Sequence, residues 1–531
     1  MTHYLLGIDV GTLGVRAGLF DTQGQLFASS SAPFELLTPH EHHAVYRMDD
    51  IWNATGRAVR TTLAAVACAR ENLRGIAFDA TSSLYIEAVG GAPLDGVADV
   101  LCWMDHRGEQ EAKEIDRTGD RYLDYVGGSV SPEMHLPKLL WLKRQRPAVW
   151  ERIVAVRDLC DELARRATDV ARNSICGLCC KLPYLPADPE PWRRELLSRL
   201  GISDLLERGQ LNDPPASVGT LHGLVSHSAA EFLGVRAGVP VAVSLIDAEA
   251  GALGVVGRGF QDRMNQTIAI VGGTSTCYMS WAADERRVRG VWGPFKDAVF
   301  SGYWMHEAGQ SFSGAALDAV LATHPSSPGQ PSARLHLDTA TEILHQLHTE
   351  GPAFAARRHV VPDWLGNRAP LGNSSARALL TGIGEDTSRR AFLEQYYAVA
   401  RGLILQSRHI IEHLNAHGYT IDRASLGGGH LKNPLLVTLY RDALGVDVVV
   451  PTTAEPVLLG AAMVAALAGG VYGNLFEALD MMASDQTVLA RDDDWARAHD
   501  VAYRIYRNLF ATRNEIEAEA EASLENTSVT T

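Results

Sequence analysis

Two glycine-rich turns, each following an apolar strand, carry residue types that hold phosphate groups. The first glycine turn spans Leu5 to Thr12 (LLGIDVGT), and the second spans Ile268 to Thr276 (IAIVGGTST). Glycine lets backbone N–H groups approach an anion closely, and threonine adds a hydroxyl donor. One such turn also occurs in ordinary hairpins. The same chemistry in both halves of the chain predicts a polyphosphate held between two domains and favours an ATP-driven phosphotransferase.

Two aspartates follow apolar strands at positions suited to metal binding and proton transfer. Asp9 ends the first strand, where a carboxylate is suited to holding a hydrated magnesium ion. Asp247 follows the apolar segment Val241 to Ile246 and precedes small residues that leave room for a substrate. Phosphoryl transfer needs an acceptor for the proton of the attacking hydroxyl, and carboxylates can fill this role. From residue type alone, Asp247 is also interpreted as the N-cap of the next helix.

A third glycine run and a cysteine cluster carry further candidate chemistry. The run Gly427 to Gly429 offers flat access to an adenine ring, although a strand-to-helix turn has the same composition. The segment Cys176 to Cys180 contains a Cys-x-x-Cys pattern, which raises zinc binding and redox chemistry as alternatives. No second pair follows at zinc-site spacing and no histidine lies close in sequence. Buried structural thiols are therefore favoured.

Composition limits the class of protein. The chain has 531 residues and 46% hydrophobic content, which predicts at least two domains. Its net charge of -15 and the lack of a dense basic block argue against nucleic acid as a partner. No signal peptide is recognised, and the longest apolar stretch, Pro456 to Gly470, is short for a membrane span and predicts a buried helix. Seven cysteines without framework spacing indicate a reducing, cytoplasmic location.

Strand and helix signals alternate along the chain, which predicts an α/β architecture. The predicted strands of the first half are Tyr4 to Val10, Arg16 to Phe20, a third from about Leu26, and Gly75 to Phe78, with a helix from Asp50 to about Arg70 capped by Asp49 and Asp50. The predicted elements of the second half are strands at Thr267 to Val271 and Ala424 to Leu426, and helices at Gly314 to Leu321 and Phe392 to Ala416.

A helical periodicity also marks the C-terminus. Val501, Ile505, Leu509 and Ile516 recur at helical spacing and predict a terminal amphipathic helix. Its apolar face is a candidate contact for a homodimer. Residues from about Glu519 onward are expected to fray.

Six segments occur in the order typical of the FGGY carbohydrate kinases, and the chain resembles a member of that family over about residues 4 to 470. These segments are GIDVGT, WMDHR (Trp103 to Arg107), LIDAEAGALG (Leu245 to Gly254), VGGTST, EAGQSFSG (Glu307 to Gly314), and GGGHLKNPL running to EPVLLGAAM (Glu455 to Met463). The resemblance implies an α/β fold of two actin-like, ribonuclease-H-like domains flanking a deep catalytic cleft. It implies a sugar and phosphate domain at residues 1–258, a nucleotide domain at 259–485, and a helix and tail at 486–531.

The resemblance also implies cofactors and the residues that hold them. Asp247 matches the aspartate that accepts the proton, and Asp9 is expected to organise Mg²⁺ through water. The expected phosphate contacts of ATP are Gly11, Thr12, Arg16, Gly273 and Thr274. The residues expected near the nucleoside are Gly314, Asp318, Gly429 and Asn433. For Asp318, a solvated helix position is the alternative.

The sugar side is assigned in the same way. The expected substrate contacts are Ala80, Thr81, Asp105, Glu133, Lys181, Asp247 and Glu307. A neutral polyol needs convergent groups that accept and donate hydrogen bonds. The small side chain of Ala80 leaves volume for a five-carbon chain. Glu133 and Lys181 taken singly also fit ordinary surface positions.

The segments FDATSS, YVGGSVSPEMHLPKLLWLK and WMDHR most resemble the ribulokinase branch, D-ribulokinases in particular. The implied reaction is phosphorylation of the terminal hydroxyl of D-ribulose to D-ribulose 5-phosphate. L-ribulose, D-xylulose and ribitol or another pentitol remain alternatives, since Ser244 and Glu249 depart from the branch pattern around Asp247. Two other classes are an actin- or chaperone-like ATPase without a sugar acceptor and a degenerate sugar-binding regulator. The LIDAEAG and WMDHR segments argue against the ATPase.

Overall fold

The computed structural model describes residues 2–528, which form two compact units. Unit 1 comprises residues 2–265, 279–306 and 451–486, and unit 2 comprises residues 266–278, 307–450 and 487–528. Each unit is built from separated stretches of chain. The linear domain boundaries expected at residues 258 and 485 stay predictions. Residues 529–531 of the predicted tail lie outside the described residues.

The first half of the chain contains eleven strands and ten α-helices among the described residues. The strands are β1 Tyr4–Val10, β2 Gly14–Asp21, β3 Leu26–Pro33, β4 Val45–Tyr46, β5 Leu73–Ala80, β6 Leu84–Ala88, β7 Val100–Leu101, β8 Ile153–Asp158, β9 Leu221–Leu224, β10 Pro240–Ala242 and β11 Leu245–Ile246. The helices are α1 Met48–Ala64, α2 Glu109–Arg117, α3 His135–Gln145, α4 Pro147–Trp150, α5 Leu159–Thr168, α6 Ile175–Lys181, α7 Arg194–Arg199, α8 Leu205–Arg208, α9 His227–Leu233 and α10 Asp247–Val256.

The second half continues the alternation of strands and helices. Its strands are β12 Thr267–Gly272, β13 Thr276–Ala282, β14 Trp292–Lys296, β15 Trp304–Gln310, β16 His359–Val361, β17 Leu379–Thr381, β18 Arg423–Gly428, β19 Asp447–Pro451 and β20 Gln486–Leu489. Its helices are α11 Gly314–Thr323, α12 Ala333–Glu350, α13 Arg389–Ala416, α14 Pro434–Ala443, α15 Pro456–Ala468, α16 Leu475–Met482 and α17 Asp493–Ser528.

The main sheet of unit 1 has the strand order β3-β2-β1-β5-β10-β9, with β11 paired to β5. The first three strands form an antiparallel meander, and β5 then lies parallel to β1. Every residue of β1 is buried, because α1 packs near one side of the meander and α15 packs against β1 and β5. This meander followed by a parallel strand gives the α/β, actin-like arrangement that the sequence led us to expect.

A second sheet has the order β14-β15-β13-β12-β18-β19-β20. Within unit 2, β12, β18 and β19 are parallel, so their carboxyl ends share one edge. The long helix α13 supplies much of the buried apolar surface of this unit. Ser388 caps α13 by accepting a hydrogen bond from the Ala391 N–H at 3.3 Å, which places its start slightly before the predicted Phe392.

Three local predictions differ from the structure. Helix α1 ends at Ala64 rather than near Arg70, and its N-cap is Arg47. The predicted caps Asp49 and Asp50 lie in its first turn, where their charges still complement the helix dipole. The predicted strand from Val241 to Ile246 is two short strands, β10 and β11, because the ladder is interrupted between them.

The buried helix predicted from Pro456 is present as α15. Among residues 2–528, no helix combines the length and apolar character needed to cross a membrane.

Candidate functional site

Three aspartates are grouped at the carboxyl edge of the unit 1 sheet. Asp9 in β1 is the register partner of Asp79 in β5, and Asp79 is also the partner of Leu245, two residues before Asp247. Asp79 is fully buried, and its carboxyl group lies within hydrogen-bond reach of the Asp9 carboxylate. Burial, followed by the charges of Asp9 and Asp247, raises the pKa of Asp79 well above its usual value. Sequence reasoning selected Asp9 and Asp247 but missed Asp79, although it also follows a predicted strand.

Arg16 lies beside this edge and pairs with two carboxylates. Its Nε donates to Asp9 Oδ2 at 2.7 Å, and its Nη1 donates to Glu455 Oε2 at 3.0 Å. Arg16 therefore balances the charge of Asp9. Its predicted contact with a phosphate stays a prediction.

The first glycine turn is fixed by its neighbours. The Gly11 N–H donates to the Gly14 carbonyl at 3.0 Å, which closes the turn. The Thr12 hydroxyl accepts from the Trp103 indole at 3.1 Å, and the Thr12 carbonyl accepts from the Tyr46 hydroxyl at 3.0 Å. The GIDVGT and WMDHR segments, far apart in sequence, thus meet at Thr12.

Asp247 is the first residue of α10, and Ile246 occupies the N-cap position. The Ala248 N–H donates to Asp247 Oδ1 at 2.8 Å. Helix α10 crosses α15 in close contact: a Cβ on Gly254 would lie 1.8 Å from the Pro456 carbonyl oxygen, and one on Gly460 would lie 1.9 Å from that of Ala250. Only glycine permits this approach at either position. The crossing fixes the axis of the helix that carries Asp247.

Asp105 is buried and held by several donors. Its Oδ1 accepts from Arg107 Nε at 2.8 Å, and its Oδ2 accepts from the Ala44 N–H at 2.8 Å and Arg107 Nη2 at 2.9 Å. Burial alone would raise the pKa of Asp105, but these hydrogen bonds and the charges of Arg107 and Lys138 bring it below its usual value. Asp105 is therefore a fixed carboxylate.

A buried lysine that sequence reasoning missed stands among the expected sugar contacts. Lys138 on α3 donates to the Cys102 carbonyl at 2.8 Å and to the Trp103 carbonyl at 2.9 Å. Burial lowers its pKa to about 8, opposed by the charges of Asp105 and Glu133 and assisted by that of Lys181. Lys138 therefore shares one electrostatic environment with three predicted residues. A lysine within the apolar run LPKLLWL was the available signal.

The other expected sugar contacts of unit 1 are also buried. Ala80 ends β5 and is fully buried, and the following Thr81 donates its N–H to the Val10 carbonyl at 2.9 Å. Glu133 and Lys181 are buried too, rather than being the surface charges of the alternative interpretation. The Lys181 Nζ lies 4.8 Å from the centre of the Trp292 ring. Their contacts with a sugar stay predictions.

The cysteine cluster lies on α6. Cys176, Cys179 and Cys180 are buried. The sulfur atoms of Cys176 and Cys180 lie within 4.8 Å of each other and of a Glu249 carboxylate oxygen. Burial raises the pKa of Cys180 well above its usual value, which favours the neutral thiol. This environment supports the interpretation as structural thiols.

In unit 2, the second glycine turn contacts a helix N-terminus. The N–H groups of Gly314 and Ser313 donate to the carbonyls of Gly273 and Thr274 at 3.1 and 3.0 Å. A Cβ on Gly314 would lie 2.5 Å from the Gly273 carbonyl oxygen, so glycine is required for this approach. Helix α11 begins at Gly314. A glycine turn at a helix N-terminus is suited to binding an anion.

The third glycine run also contacts this turn. Gly428 has φ +87°, and a Cβ there would lie 2.4 Å from the Gly272 carbonyl oxygen. The Gly429 Cβ position is open apart from contacts with the Gly272 carbonyl and Gly273 Cα at 3.7 and 3.9 Å. The structure therefore brings Gly273, Thr274, Gly314 and Gly429 together.

Asn433 and Asp318 are linked through residues that sequence reasoning did not select. Asn433 caps α14, and its Nδ2 donates to the Tyr396 hydroxyl at 3.2 Å. That hydroxyl lies 2.8 Å from His336 Nδ1, and His336 Nε2 lies 2.8 Å from Asp318 Oδ1. Since the Asp318 carboxylate can only accept, His336 Nε2 donates to it. A single chain of hydrogen bonds therefore joins the two predicted nucleotide residues.

Glu307, the last predicted sugar contact, lies in β15 and is buried. The Arg368 guanidinium donates to Glu307 Oε1, and both side chains are almost inaccessible to solvent. Arg368 was not selected from the sequence because it lies 61 residues away.

This arrangement defines an actin-like α/β nucleotide-binding protein with a carboxylate-rich edge. Comparison with known families is more specific. The N-terminal domain of the FGGY family of carbohydrate kinases matches residues 4–254, and the C-terminal domain matches residues 268–469. The chain belongs to the FGGY family of carbohydrate kinases, and it is a sugar phosphotransferase that uses ATP.

Individual relatives agree with the family assignment. The chain is 33% identical to an FGGY carbohydrate kinase domain-containing protein of Xenopus laevis, covering 97% of this chain and 98% of the relative. It is 30% identical to a D-ribulokinase of Saccharomyces cerevisiae, covering 92% of this chain and 76% of the relative. The fold is similar to that of a xylulose kinase from Rhodospirillum rubrum, with a TM-score of 0.78, 19% identity and coverage of 97% and 99%.

Proposed function

We propose that this protein transfers the γ-phosphate of ATP to the terminal C5 hydroxyl of a pentulose, with D-ribulose as the preferred acceptor and D-ribulose 5-phosphate as the product. The observation that carries the proposal is the position of Asp247 at the N-terminus of α10, in the same unit as the buried polar groups of Asp105, Glu133 and Lys181. The choice of D-ribulose is supported by the yeast relative named a D-ribulokinase.

In this proposal, Asp247 accepts the proton of the C5 hydroxyl as that oxygen attacks the γ-phosphorus, and ADP leaves. Asp105, Glu133, Lys181, Thr81 and Glu307 bind and orient the sugar, with Ala80 leaving it room. In unit 2, Gly273 and Thr274 bind phosphate oxygens beside the N-terminus of α11. Gly314, Gly429, Asp318 and Asn433 bind the nucleoside, while Gly11, Thr12 and Arg16 bind phosphate from unit 1.

The carboxyl edge of the unit 1 sheet fits a magnesium ion. Asp9 and Asp79 are adjacent in register and present oxygen donors only, which Mg²⁺ prefers. Asp9 would hold the ion through water, and the bound ion would neutralise charge on the transferred phosphate.

Two further proposals concern the cell and the assembly. We place the protein in the cytoplasm, since five of its seven cysteines are buried thiols. A homodimer through α17 is supported by the exposed apolar side chains of Val501 and Ile516 on that helix. Sedimentation of the purified protein tests the dimer, and a monomer at micromolar concentration would contradict it.

A coupled kinase assay tests the activity. The purified protein is supplied with ATP and Mg²⁺, and ADP formation is followed with D-ribulose, L-ribulose, D-xylulose, ribitol and glycerol. We expect the highest kcat/KM with D-ribulose, and phosphorus NMR of the product places the phosphate on C5. Higher kcat/KM with another acceptor would replace D-ribulose, and no acceptor-dependent ADP formation would refute the proposal.

A further inference from the structure

A buried ion pair joins the C-terminal helix α17 to a segment that we call the Arg368 segment, residues 363–377. Arg513 Nη1 on α17 lies 2.7 Å from Asp363 Oδ2, and each side chain is at most 4% exposed. Arg513 also donates to the Arg377 carbonyl at 3.0 Å. One guanidinium therefore holds both ends of the Arg368 segment. The match to the family's C-terminal domain ends at residue 469, before α17 begins.

Asp363 connects Arg513 to the residues inside the Arg368 segment. Both of its oxygens accept from Asn367 Nδ2, at 3.0 and 3.1 Å. Asn367 in turn accepts from the Leu371 N–H at 2.9 Å, and its backbone pairs with Asn373 in both directions at 2.7 and 2.8 Å. The residue that follows Asn367 is Arg368. Its backbone position is thus fixed by a buried network rather than by the loop alone.

Arg368 reaches Glu307 across a strand position that lacks a side chain. Residues 307 and 309 face the same side of β15 because side chains alternate along a strand. A Cβ on Gly309 would lie 2.6 Å from Arg368 Cδ and 2.7 Å from its Nε. The Arg368 side chain therefore packs over Gly309 and donates to the Glu307 carboxylate.

A second branch of the network anchors the same strand. Gln406 on α13 donates to Asp363 Oδ1 at 2.6 Å, and its amide oxygen accepts from Gln310 Nε2 at 2.8 Å. Gln310 is the last residue of β15. Asp363 therefore connects Arg513 with β15 at two points. Gln406 links Asp363 to Gln310 through hydrogen bonds. The Arg368 segment links Asp363 to Glu307. Displacing Asp363 is expected to move the Glu307 carboxylate.

We infer that Arg368 is a positioning residue that orients Glu307 toward the sugar, and that Arg513 of α17 sets this orientation through Asp363. The inference rests on the proposed function, because it requires Glu307 to contact the acceptor. A hydrogen bond to a sugar hydroxyl weakens steeply when the acceptor oxygen shifts or turns. Removing either arginine therefore weakens binding of the sugar more than binding of ATP.

The test compares sugar and ATP kinetics for Arg368→Met, Arg513→Met and the double variant, using the acceptor that gives the highest kcat/KM with the wild type. For Arg368→Met we expect the sugar KM to rise about tenfold or more with the ATP KM changed less than about twofold. Arg513→Met should raise the sugar KM by a smaller factor. In the double variant, Arg513→Met should raise the sugar KM by less than about twofold over that of Arg368→Met alone, because Arg513 acts through Arg368. Arg368→Lys should restore part of the loss.

Arg507→Met is the matched control. Arg507 is another arginine of α17 that makes an ion pair, with Glu412, but its side chain is 45% exposed. We expect its sugar KM to equal that of the wild type. Thermal unfolding and ATP binding verify that each variant is folded, and Asp363→Asn and Arg513→Lys serve if Arg513→Met does not fold.

Three outcomes overturn the inference. The first is an unchanged sugar KM in folded Arg368→Met. The second is an equal rise of the sugar and ATP KM values, which indicates a structural role. The third is a double variant whose rise in sugar KM equals the product of the two single rises, which would show that Arg513 and Arg368 act independently. Failure of the proposed function is distinguished from all three, because the wild type itself would then show no acceptor-dependent ADP formation.

Discussion

Asp247 combines two features that suit a proton acceptor. It begins α10, at the end of the helix where N–H groups without partners in the helix can bind an anionic group. One oxygen accepts from the Ala248 N–H at 2.8 Å, which fixes the direction of the carboxylate. A charged and oriented carboxylate is suited to receive the proton of an attacking hydroxyl.

Replacing Asp247 by Asn therefore tests its role directly. The amide keeps the shape of the side chain but cannot accept the proton, so we expect kcat to fall by about a thousandfold. ATP affinity, measured by calorimetry, should change less than about threefold. Asp284→Asn, at a largely exposed aspartate of the same unit, is the control and should be fully active. Near-normal turnover of Asp247→Asn would exclude Asp247 as the base.

Replacing Lys181 tests whether this residue contacts the sugar rather than ATP. It is buried, and its ammonium lies 4.8 Å from the centre of the Trp292 ring. We expect Lys181→Ala to raise the sugar KM about tenfold while the ATP KM stays nearly constant, because the proposed role of the lost ammonium is to donate to the sugar. Lys113→Ala, which removes an exposed lysine of α2, should change neither value. Equal changes in both KM values would indicate a structural role for Lys181.

His430 makes the stability of unit 2 depend on pH. It is buried, lies 3.0 Å from the Gly273 carbonyl, and has a pKa lowered to about 4 by burial. Below the ordinary histidine pKa the unfolded chain binds a proton that the folded protein does not, so stability falls as pH drops from about 6.5 toward 4. At pH 5 this difference in proton binding lowers the free energy of unfolding by about 2 kcal/mol.

Unfolding midpoints at pH 7 and pH 5 measure this effect. We expect the wild type to lose more stability between these values than His430→Gln, whose side chain does not titrate. His42→Gln, at an exposed histidine, should behave as the wild type. Identical pH dependence of wild type and His430→Gln would contradict the prediction.

Site residues could be predicted where the chemistry lies next to a local pattern. Asp9 and Asp247 follow apolar strands, and Gly273 and Thr274 lie in a recognisable turn. Lys138, His336 and Arg368 were missed because their partners lie far away in sequence, whereas Asp79 was missed although it follows a predicted strand. An isolated lysine or arginine does not indicate that it will be buried against a carbonyl or a carboxylate; only the folded chain brings these groups together.

At the scale of elements, the contact between α10 and α15 links helix packing to Asp247, the proposed catalytic residue. Sequence patterns predicted α15 as a buried helix because its residues are almost all small or apolar. They did not predict its partner, since the contact depends on single glycines on two helices separated by about two hundred residues. The break between β10 and β11 was missed for a related reason, because a continuous apolar run does not reveal where a ladder is interrupted.

Gly460→Ala tests this link. Its Cβ would lie 1.9 Å from the Ala250 carbonyl oxygen, so α10 and α15 must separate. We expect a lower unfolding midpoint and, because Asp247 begins α10, a kcat reduced about tenfold or more. Gly329→Ala is the control, since nothing lies within 4 Å of its Cβ position. A lowered unfolding midpoint with unchanged kcat would contradict the prediction, because it would show that the contact between α10 and α15 does not determine the position of Asp247.

For the whole molecule, the family determines the reaction class, whereas the acceptor depends on individual side chains. The two matched domains together span most of residues 4–469. The six ordered segments, which include both glycine turns, made this architecture predictable from the sequence. The identity of the acceptor was less predictable, because Ala80, Lys181 and Glu307 are set by packing against residues such as Trp292 and Arg368.

The family assignment also predicts how ATP consumption depends on the acceptor. A chaperone-like ATPase would release ADP at the same rate with or without sugar, whereas a kinase needs the hydroxyl as its nucleophile. We expect ADP release without sugar to be at least about a hundredfold slower than with saturating D-ribulose, since a water molecule lacks the orientation that binding gives the sugar. With sugar present, one sugar phosphate should form for each ADP. An ADP yield well above the sugar phosphate yield would show that water reaches the γ-phosphate during turnover, and it would contradict the expected one-to-one ratio.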